Sequence, residues 1–294
     1  MQQALPEYNT TRAVLAVIIS VLALSLGDAL IKASSLTLPL WQMYILRSVL
    51  VLPALWLLAA RYRTVSFGSV FWVAVRSSLL VGMWLSYYSA LPLMPLSLAA
   101  AGYYTSPIII TILAAVVARR WPAPRTLFAI ALGFCGVLLV LRPVSSGFQL
   151  GALLPIIAAF LYACAMVLTS TKCRDDNPFA LALSLNLAFI VAGGLLGLKS
   201  GREGSFIFGP WQPVDPVLFG IVTALAVVIL VGSLGAAIAY QNGPPATVAA
   251  FDYSYLVFSL VWGSVFFGEW PDTAAITGIV AITAAGFLAL TTSG

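Results

Sequence analysis

The sequence lacks histidine altogether, and charged residues make up only 8% of its 294 residues. Without histidine, imidazole-based metal sites and Ser-His-Asp triads are excluded. A soluble domain has roughly a quarter of its residues as Asp, Glu, Lys or Arg, so this chain cannot present an ordinary water-facing surface. No glycine-rich phosphate loop and no dense basic run occurs either. We therefore expect no cofactor, no nucleic-acid partner and no ATP-driven step within this chain.

Cysteine is also scarce. The three cysteines, Cys135, Cys164 and Cys173, show no spacing typical of a metal or redox site. They are predicted to be small packing residues in or near helices.

What the sequence has in abundance is apolar length. Hydrophobic residues make up 62% of the chain, and its mean hydropathy is +1.05. A membrane-crossing helix needs about 20 mostly apolar residues. Continuous runs of that length, separated by Pro, Gly and charged residues, predict ten spans at 13–33, 38–59, 68–91, 95–117, 124–141, 150–171, 178–199, 215–240, 245–267 and 273–292. The predicted fold class is an all-α polytopic membrane protein embedded in a lipid bilayer.

The positive charges predict an orientation, since lysine and arginine near span ends favour the cytoplasmic side. With the N-terminus inside, eight of these residues fall on the inner side and four on the outer side. The inner set is Arg12, Arg61, Arg63, Arg119, Arg120, Arg125, Lys172 and Arg174, and the outer set is Lys32, Arg142, Lys199 and Arg202. Both termini are therefore expected to be cytoplasmic.

An internal repeat divides the chain into two halves, residues 1–146 and 147–294. At an offset of 149 residues, Pro95 aligns with Pro244 and Tyr104 with Tyr253, and the Trp-Pro pair at 121–122 aligns with that at 270–271. Each half holds five spans, an odd number, so the second half must enter the membrane in the opposite direction. Inverted repeats of this kind are typical of alternating-access transporters, which bind their substrate between the halves.

The ten spans, the two five-helix halves and the closing segment "VFFGEWPDTAAITGIVAITAAGFLAL" resemble the drug/metabolite transporter superfamily, EamA-like branch. The most specific part is residues 243–290, with Pro244, the pair Gly268–Glu269 and a small-residue tenth span. The family often has a second Glu in the first half, where this chain has Arg120.

The resemblance implies a secondary exporter of small metabolites in a bacterial inner (plasma) membrane. The chain is similar to exporters of amino acids, including aromatic ones. Other members that look similar move nucleotide-type metabolites, purines or cationic drugs, so these remain alternatives. The sequence does not distinguish a monomer from a homodimer.

Four charged residues lie well inside predicted spans, where a charge tends to face a cavity or a partner. They are Asp28, Arg47, Arg76 and Asp252. Arg76 is expected to extend back to the cytoplasmic surface. Asp252 shares a helix face with Tyr255, which suits an ammonium group or a proton site. Alternatively, Arg47 forms a structural ion pair with Asp28 or Asp252, or binds a substrate carboxylate.

Aromatic residues form the other candidate site. Two tyrosine pairs, Tyr103–Tyr104 and Tyr253–Tyr255, are predicted to face each other across a pocket that stacks flat substrates, although packing alone is an alternative. The candidate cavity residues are Trp84, Tyr87, Tyr88, Tyr103, Tyr104, Tyr162, Asn186, Tyr240, Phe251, Asp252, Tyr253 and Tyr255. With so few fixed charges, the expected substrate is a small zwitterion with an apolar or aromatic side chain.

Proline and glycine predict local features of the helices. Pro107, inside the fourth span, predicts a kink. Gly133, Gly136, Gly193, Gly194 and Gly197, together with Ala281 and Ala285, predict close helix contacts.

Other function classes are less consistent with the sequence. Two membrane aspartates suggest an intramembrane aspartyl protease, a remote alternative because "SLGD" at 25–28 and "FDY" at 251–253 are the wrong motifs in the wrong order. A channel would need a polar ring or filter, and none is visible. We therefore expect a transporter rather than an enzyme.

Overall fold

The computed structural model describes residues 8–33, 38–61, 68–90, 93, 96–141, 151, 153–201, 203–268 and 270–290. These residues form helices joined by short connections, without a strand among them, which confirms the all-α prediction. The helices are α1 (Thr10–Ala33), α2 (Leu40–Arg61), α3 (Val70–Ala90), α4 (Leu96–Tyr103), α5 (Ser106–Ala118), α6 (Pro124–Leu141), α7 (Leu153–Thr171), α8 (Pro178–Gly197), α9 (Pro216–Asn242), α10 (Pro245–Asp252), α11 (Ser254–Phe267) and α12 (Thr273–Leu290). Pro95, Arg63, Arg142, Arg202 and Glu269 lie outside the described residues.

The apolar helices have the dimensions of membrane spans. Among the described residues, seven helical stretches are long and apolar enough to cross a bilayer: Thr10–Leu30, Leu40–Leu57, Val70–Ala90, Leu153–Thr171, Pro178–Gly197, Pro216–Asn242 and Pro245–Phe267. Three further apolar helices, Ser106–Ala118, Pro124–Val140 and Thr273–Ala289, are shorter. Large apolar side chains such as Leu195, Val280 and Phe287 are exposed, as expected where lipid replaces water.

Local sequence signals set where two helices of the second half begin. Asn177 caps α8, since its side chain accepts a hydrogen bond from the Phe179 N–H at 2.8 Å. Asp215 caps α9 in the same way, accepting from the Leu218 N–H at 2.7 Å. A proline follows each cap at the first helical position, where its missing N–H costs nothing.

Two of the predicted spans are broken rather than continuous. The span predicted at 95–117 consists of α4 and α5, and the span at 245–267 consists of α10 and α11. The first break falls at Tyr104–Thr105, just before Pro107, which confirms the predicted kink. The second falls at Tyr253, which is 149 residues after Tyr104. Since no proline follows Tyr253 in α11, the second break has no such local cause.

The helices pack mainly against helices of the other half of the chain. α1 packs against α9 and α3 against α7, while α2 packs against α8 and α6 against α12. α1 also contacts α11, as α7 contacts α5. In the repeat, α1 corresponds to α7 and α3 corresponds to α9. The α1–α9 contact therefore has its equivalent in the α7–α3 contact, and both are observed. The core is therefore shared by the two halves, and a site inside it is lined by both.

Hydrogen bonds also join the halves at the two ends of α9. At its beginning, the Trp41 indole N–H of α2 donates to the Gly209 carbonyl at 2.9 Å, and the Gln42 amide donates to the Gln212 carbonyl at 2.7 Å. At its other end, the Gln241 amide donates to the carbonyls of Cys173 and Asp176 at 2.7 and 2.8 Å, which ties α9 to the α7–α8 connection of the same half. The Gly68 N–H donates to the Asp176 carboxylate there at 2.5 Å.

Candidate functional site

Asp252 is the last residue of α10, immediately before the helix break. Its side chain is only 8% exposed. The Tyr240 hydroxyl of α9 donates to its Oδ2 at 2.6 Å, and the Tyr162 hydroxyl of α7 approaches the same oxygen at 3.5 Å, the outer limit for a hydrogen bond. Among the described residues, the carboxylate is thus held by tyrosines from two other helices and not by a cation.

Asp28 of α1 is the second carboxylate in the spans. It accepts a hydrogen bond from the Tyr255 hydroxyl of α11 and is exposed. One turn earlier, the Trp262 indole N–H donates to the Ser25 hydroxyl at 3.0 Å, which fixes α11 against α1. An exposed carboxylate at this depth is expected to face water inside the protein rather than lipid.

Tyr103, the last residue of α4, packs among the tyrosines that lead to these two carboxylates. Its ring centroid is 5.3 Å from that of Tyr87 and 5.8 Å from that of Tyr162, spacings typical of packed aromatic rings. Its hydroxyl is within electrostatic reach of both Asp252 and Asp28. The structure thus brings together both acidic residues and the aromatic residues of α3, α4 and α7. A site of this composition can hold an apolar or flat body beside a cation or a hydrogen-bond donor.

The aromatic face predicted on the third span is also present. Trp84 and Tyr88 stack with their ring centroids 5.2 Å apart and an interplanar angle of 21°. Tyr87 contacts Tyr88 at 6.0 Å, and Tyr88 contacts Phe206 of the α8–α9 connection at 6.1 Å. A continuous line of rings therefore runs from Trp84 along α3 to Tyr103.

Arg47, one of the candidates for an ion pair, lies among aromatic rings. Its guanidinium lies 4.1 Å from the ring centroid of Phe189, 5.1 Å from that of Tyr44 and 5.8 Å from that of Trp84. The hydrogen-bond partners of Asp28 and Asp252 are tyrosine hydroxyls instead. Among the described residues, Arg47 is therefore paired with neither aspartate in this conformation, and rings from α2, α3 and α8 enclose the cation.

Some predicted cavity residues are used in helix packing. Phe251 packs on Gly286 of α12, and Tyr253 packs on Gly133 of α6, where an added Cβ would come within 2.4 Å of the ring. The Asn186 amide donates to the Ala182 carbonyl of its own helix at 2.9 Å. The two tyrosine pairs do meet, since the Tyr104 ring lies 6.4 Å from Tyr253 and 5.7 Å from Tyr255. However, Tyr104 and Tyr253 share their cluster with Val137 and Ile282 of α6 and α12.

Other polar residues differ from the sequence-based expectation. Arg76 does not extend to the surface: it is 2% exposed, and its Nε donates to the Thr169 hydroxyl at 2.6 Å. Tyr44 and Ser48 were not predicted as site residues, yet both are buried beside Arg47 with hydroxyls that lack a hydrogen-bond partner among the described residues. Their spacing from Arg47, three residues before and one after, was the available signal.

Comparison with known proteins assigns the chain to a family. The model of the EamA-like transporter family matches residues 11–142 and, a second time, residues 149–291. The chain belongs to the EamA-like transporter family. It is therefore a membrane transporter of the drug/metabolite transporter superfamily, and its relatives are named as transporters rather than enzymes.

The names of relatives of this EamA-like transporter refer to different substrates. A riboflavin transporter of Brucella anthropi is 27% identical over 253 residues, which cover 83% of this chain and 86% of that protein. A riboflavin transporter of Vibrio cholerae is 27% identical, covering 78% and 74%. A pseudopaline exporter of Pseudomonas aeruginosa is 25% identical over 276 residues, covering 92% and 93%.

The fold of this EamA-like transporter is also found among solved structures. One crystal structure superposes with a TM-score of 0.81 at 19% identity, covering 97% of this chain and 98% of the other. At this identity the likeness describes the fold alone.

Proposed function

We propose that the protein is a secondary transporter that moves a small metabolite by alternating access, with the substrate bound between the two halves. The observation that carries this proposal is the position of Asp252 at a helix break, held by hydroxyls of Tyr240 and Tyr162, with the Tyr103 ring packed against Tyr162. Broken helices with a polar residue at the break are the usual construction of substrate sites in such transporters.

The proposed architecture is ten spans arranged as two inverted five-helix halves, residues 1–146 and 147–294. Support comes from the twofold match of the family model, the two helix breaks 149 residues apart and the equivalent helix contacts. Each half then contains one broken helix. The proposed location is a bacterial inner membrane with both termini in the cytoplasm, on the strength of the Lys and Arg distribution.

The proposed substrate class is amino acids, including aromatic ones, moved outward. A line of tyrosine and tryptophan rings offers stacking surface to an aromatic side chain. Asp28 and Asp252 both lie within electrostatic reach of the Tyr103 hydroxyl and can attract an ammonium group.

A flat heteroaromatic substrate such as riboflavin is the second candidate. The relatives named riboflavin transporters favour it, as do the same rings. The uncharged isoalloxazine ring would use the tyrosine hydroxyls and would not need the carboxylates. The two candidates therefore differ in how strongly transport depends on Asp252.

Uptake into liposomes that contain only this protein tests the proposal. We expect saturable, stereoselective flux of radiolabelled L-phenylalanine over D-phenylalanine, and slower flux of riboflavin. Asp252→Asn keeps the shape and removes the charge, so phenylalanine flux should fall by about tenfold or more if the carboxylate binds the ammonium.

A matched control is Asp215→Asn, at the exposed N-cap of α9, where asparagine caps as well as aspartate. This variant should retain wild-type flux. Saturable riboflavin flux that is unchanged in Asp252→Asn would favour the second candidate, and the lack of saturable flux for every compound would contradict the proposed function.

A further inference from the structure

Arg47 belongs to a cluster of buried polar groups that the proposed mechanism does not yet use. Tyr44, Arg47 and Ser48 occupy positions i, i+3 and i+4 of α2 and are 1%, 3% and 0% exposed. The Tyr44 hydroxyl, Nε and Nη2 of Arg47, and the Ser48 hydroxyl are all buried without a hydrogen-bond partner among the described residues. Positions with this spacing lie on one side of the helix, so four donor groups without a partner lie on that side.

Several other serine and threonine hydroxyls in the described helices do form hydrogen bonds. The hydroxyls of Ser89, Thr111 and Thr169 each donate to the carbonyl four residues earlier, at 2.6 to 2.8 Å. Such a bond is the ordinary way to satisfy a hydroxyl inside an apolar helix. The Ser48 hydroxyl makes no such bond, although the Tyr44 carbonyl is likewise four residues earlier. Its hydroxyl is therefore free for a group outside the helix.

The unpaired nitrogens of Arg47 indicate which chemical group this helix face binds. Aromatic rings approach the guanidinium within 4.1 to 5.8 Å, which stabilises its charge but does not accept hydrogen bonds in its plane. Nε and Nη2 form one side of the guanidinium, the side that a carboxylate engages with two parallel hydrogen bonds. A phosphate monoester carries nearly two charges and would need a further cation. Arg76, the other buried arginine described, is already engaged by Thr169.

We propose that Arg47, Tyr44 and Ser48 form a subsite for a carboxylate group of the transported molecule. Trp84 contacts Arg47 and begins the line of rings that leads through Tyr88 and Tyr87 to Tyr103. The Tyr88 hydroxyl is within electrostatic reach of both Arg47 and Asp28. A substrate with its carboxylate on Arg47 therefore lays its apolar or aromatic body along α3. This inference deepens the proposed function and rests on it for the claim that the carboxylate belongs to the transported molecule.

Isosteric ligands test the subsite directly. Binding of L-phenylalanine and L-phenylalaninamide to purified protein is compared by calorimetry at a pH where both amines are protonated, since the amide keeps the shape and removes the negative charge. We expect the wild-type protein to prefer the carboxylate by about 10- to 100-fold, the range for a hydrogen bond to a charged group. Arg47→Gln should abolish this preference, and Arg47→Lys, which keeps the charge but loses the fork, should retain part of it.

The control is Arg76→Gln, which removes the other buried arginine. It should leave the carboxylate preference unchanged and lower the melting temperature, because the Thr169 hydroxyl loses its partner. Arg47→Gln should not lower the melting temperature, because it removes a buried cation whose Nε and Nη2 have no acceptor among the described residues. A wild-type protein that binds the amide as tightly as the acid overturns the subsite.

The subsite and the proposed function fail in different ways. Transport of riboflavin without a preference for carboxylates overturns the subsite and leaves the transporter proposal standing. If no compound is transported, the melting temperature still decides: benzoate, compared with benzamide, should stabilise the wild-type protein and not Arg47→Gln. Equal effects of benzoate on both proteins would overturn the subsite.

Discussion

At the scale of single residues, neighbouring tyrosines of one helix end have different roles. Tyr103 closes α4 and contacts Tyr87 and Tyr162 near the two carboxylates. Tyr104 is the break residue itself, 6% exposed, and packs with Val137 and Ile282. Tyr104 therefore serves mainly in helix packing, whereas Tyr103 contacts the rings around the candidate site.

The exchange of each tyrosine for alanine should separate these roles. Tyr103→Ala removes stacking surface, so substrate affinity should fall by about 0.5–1.5 kcal/mol while the melting temperature changes little. Tyr104→Ala leaves a cavity among α6, α11 and α12, which should cost about 3–5 kcal/mol of stability. Ligand titration and thermal denaturation of both variants measure this. Equal loss of affinity in the two variants, without a difference in stability, would contradict the assignment.

At the scale of helices, the contact between α6 and α12 depends on glycine. A Cβ on Gly136 would lie 2.7 Å from the Gly278 carbonyl oxygen, and a Cβ on Gly278 would lie 2.7 Å from the Gly136 carbonyl oxygen. Small residues let membrane helices approach closely enough for such backbone contact. Since the obstacle is backbone, no side chain can move aside to relieve it.

Gly136→Ala or Gly278→Ala should therefore destabilise the protein by about 1–3 kcal/mol, the range for overpacking. Gly194→Ala on α8 is the matched control, because nothing lies within 4 Å of its added Cβ. The control should be neutral or slightly stabilising. The measurement is thermal denaturation in detergent, and a stable Gly136→Ala protein would mean that the two helices can separate without cost.

The same glycines show what the sequence could predict about the helices. Gly133, Gly136, Gly193 and Gly197 do contact neighbouring helices, as predicted, whereas Gly194 does not. Gly193 and Gly194 are adjacent, so they point to different sides of α8. Helices surrounded by lipid are apolar on every face, and the pattern of polar residues therefore does not indicate which face is inside.

Prediction of the site residues was limited for the same reason. The repeat predicted that Tyr104 and Tyr253 correspond, and the breaks fall there, although proline signalled only the first. The orientation of side chains around the helix was not predictable, and Phe251 and Tyr253 pack on glycines of other helices. Arg47 was singled out because a charge inside a span is rare, but its partners depend on which helices enclose it.

At the scale of the whole molecule, the structure is closed at one end of α9. Cys173, in the α7–α8 connection, is 0% exposed and clusters with Val73, Leu181 and Ala237. The Gln241 amide donates to the carbonyls of Cys173 and Asp176, which ties α9 to this connection. α1 begins at the same end, where the Arg174 guanidinium lies 4.9 Å from the Tyr8 ring. Asp28, some 27 Å further along α1, is exposed.

The proposed alternating access requires the end of α9 near Cys173 to open when the other end closes, so Cys173 reports on that step. Burial and the nearby Asp176 carboxylate also raise the pKa of the Cys173 thiol to about 11, which leaves little thiolate at neutral pH. In a protein with Cys135 and Cys164 replaced by serine, alkylation of Cys173 should be slow. Its rate should rise about tenfold per pH unit up to about pH 11, whereas an ordinary thiol levels off near its pKa of about 8.5.

Weakening the closed end should expose this thiol. Gln241→Leu removes two hydrogen bonds to the α7–α8 connection, each worth about 1 kcal/mol, so alkylation of Cys173 should become about tenfold faster or more. Asn242→Leu is the neighbouring control, because the Asn242 amide donates to the Ile238 carbonyl of its own helix, and it should leave the rate unchanged. A membrane-impermeant reagent should reach Cys173 only from the cytoplasmic face, which inside-out vesicles present and right-side-out vesicles do not. Labelling from the opposite face would reverse the proposed orientation, and equal rates in both leucine variants would show that these two hydrogen bonds do not hold the cytoplasmic end closed.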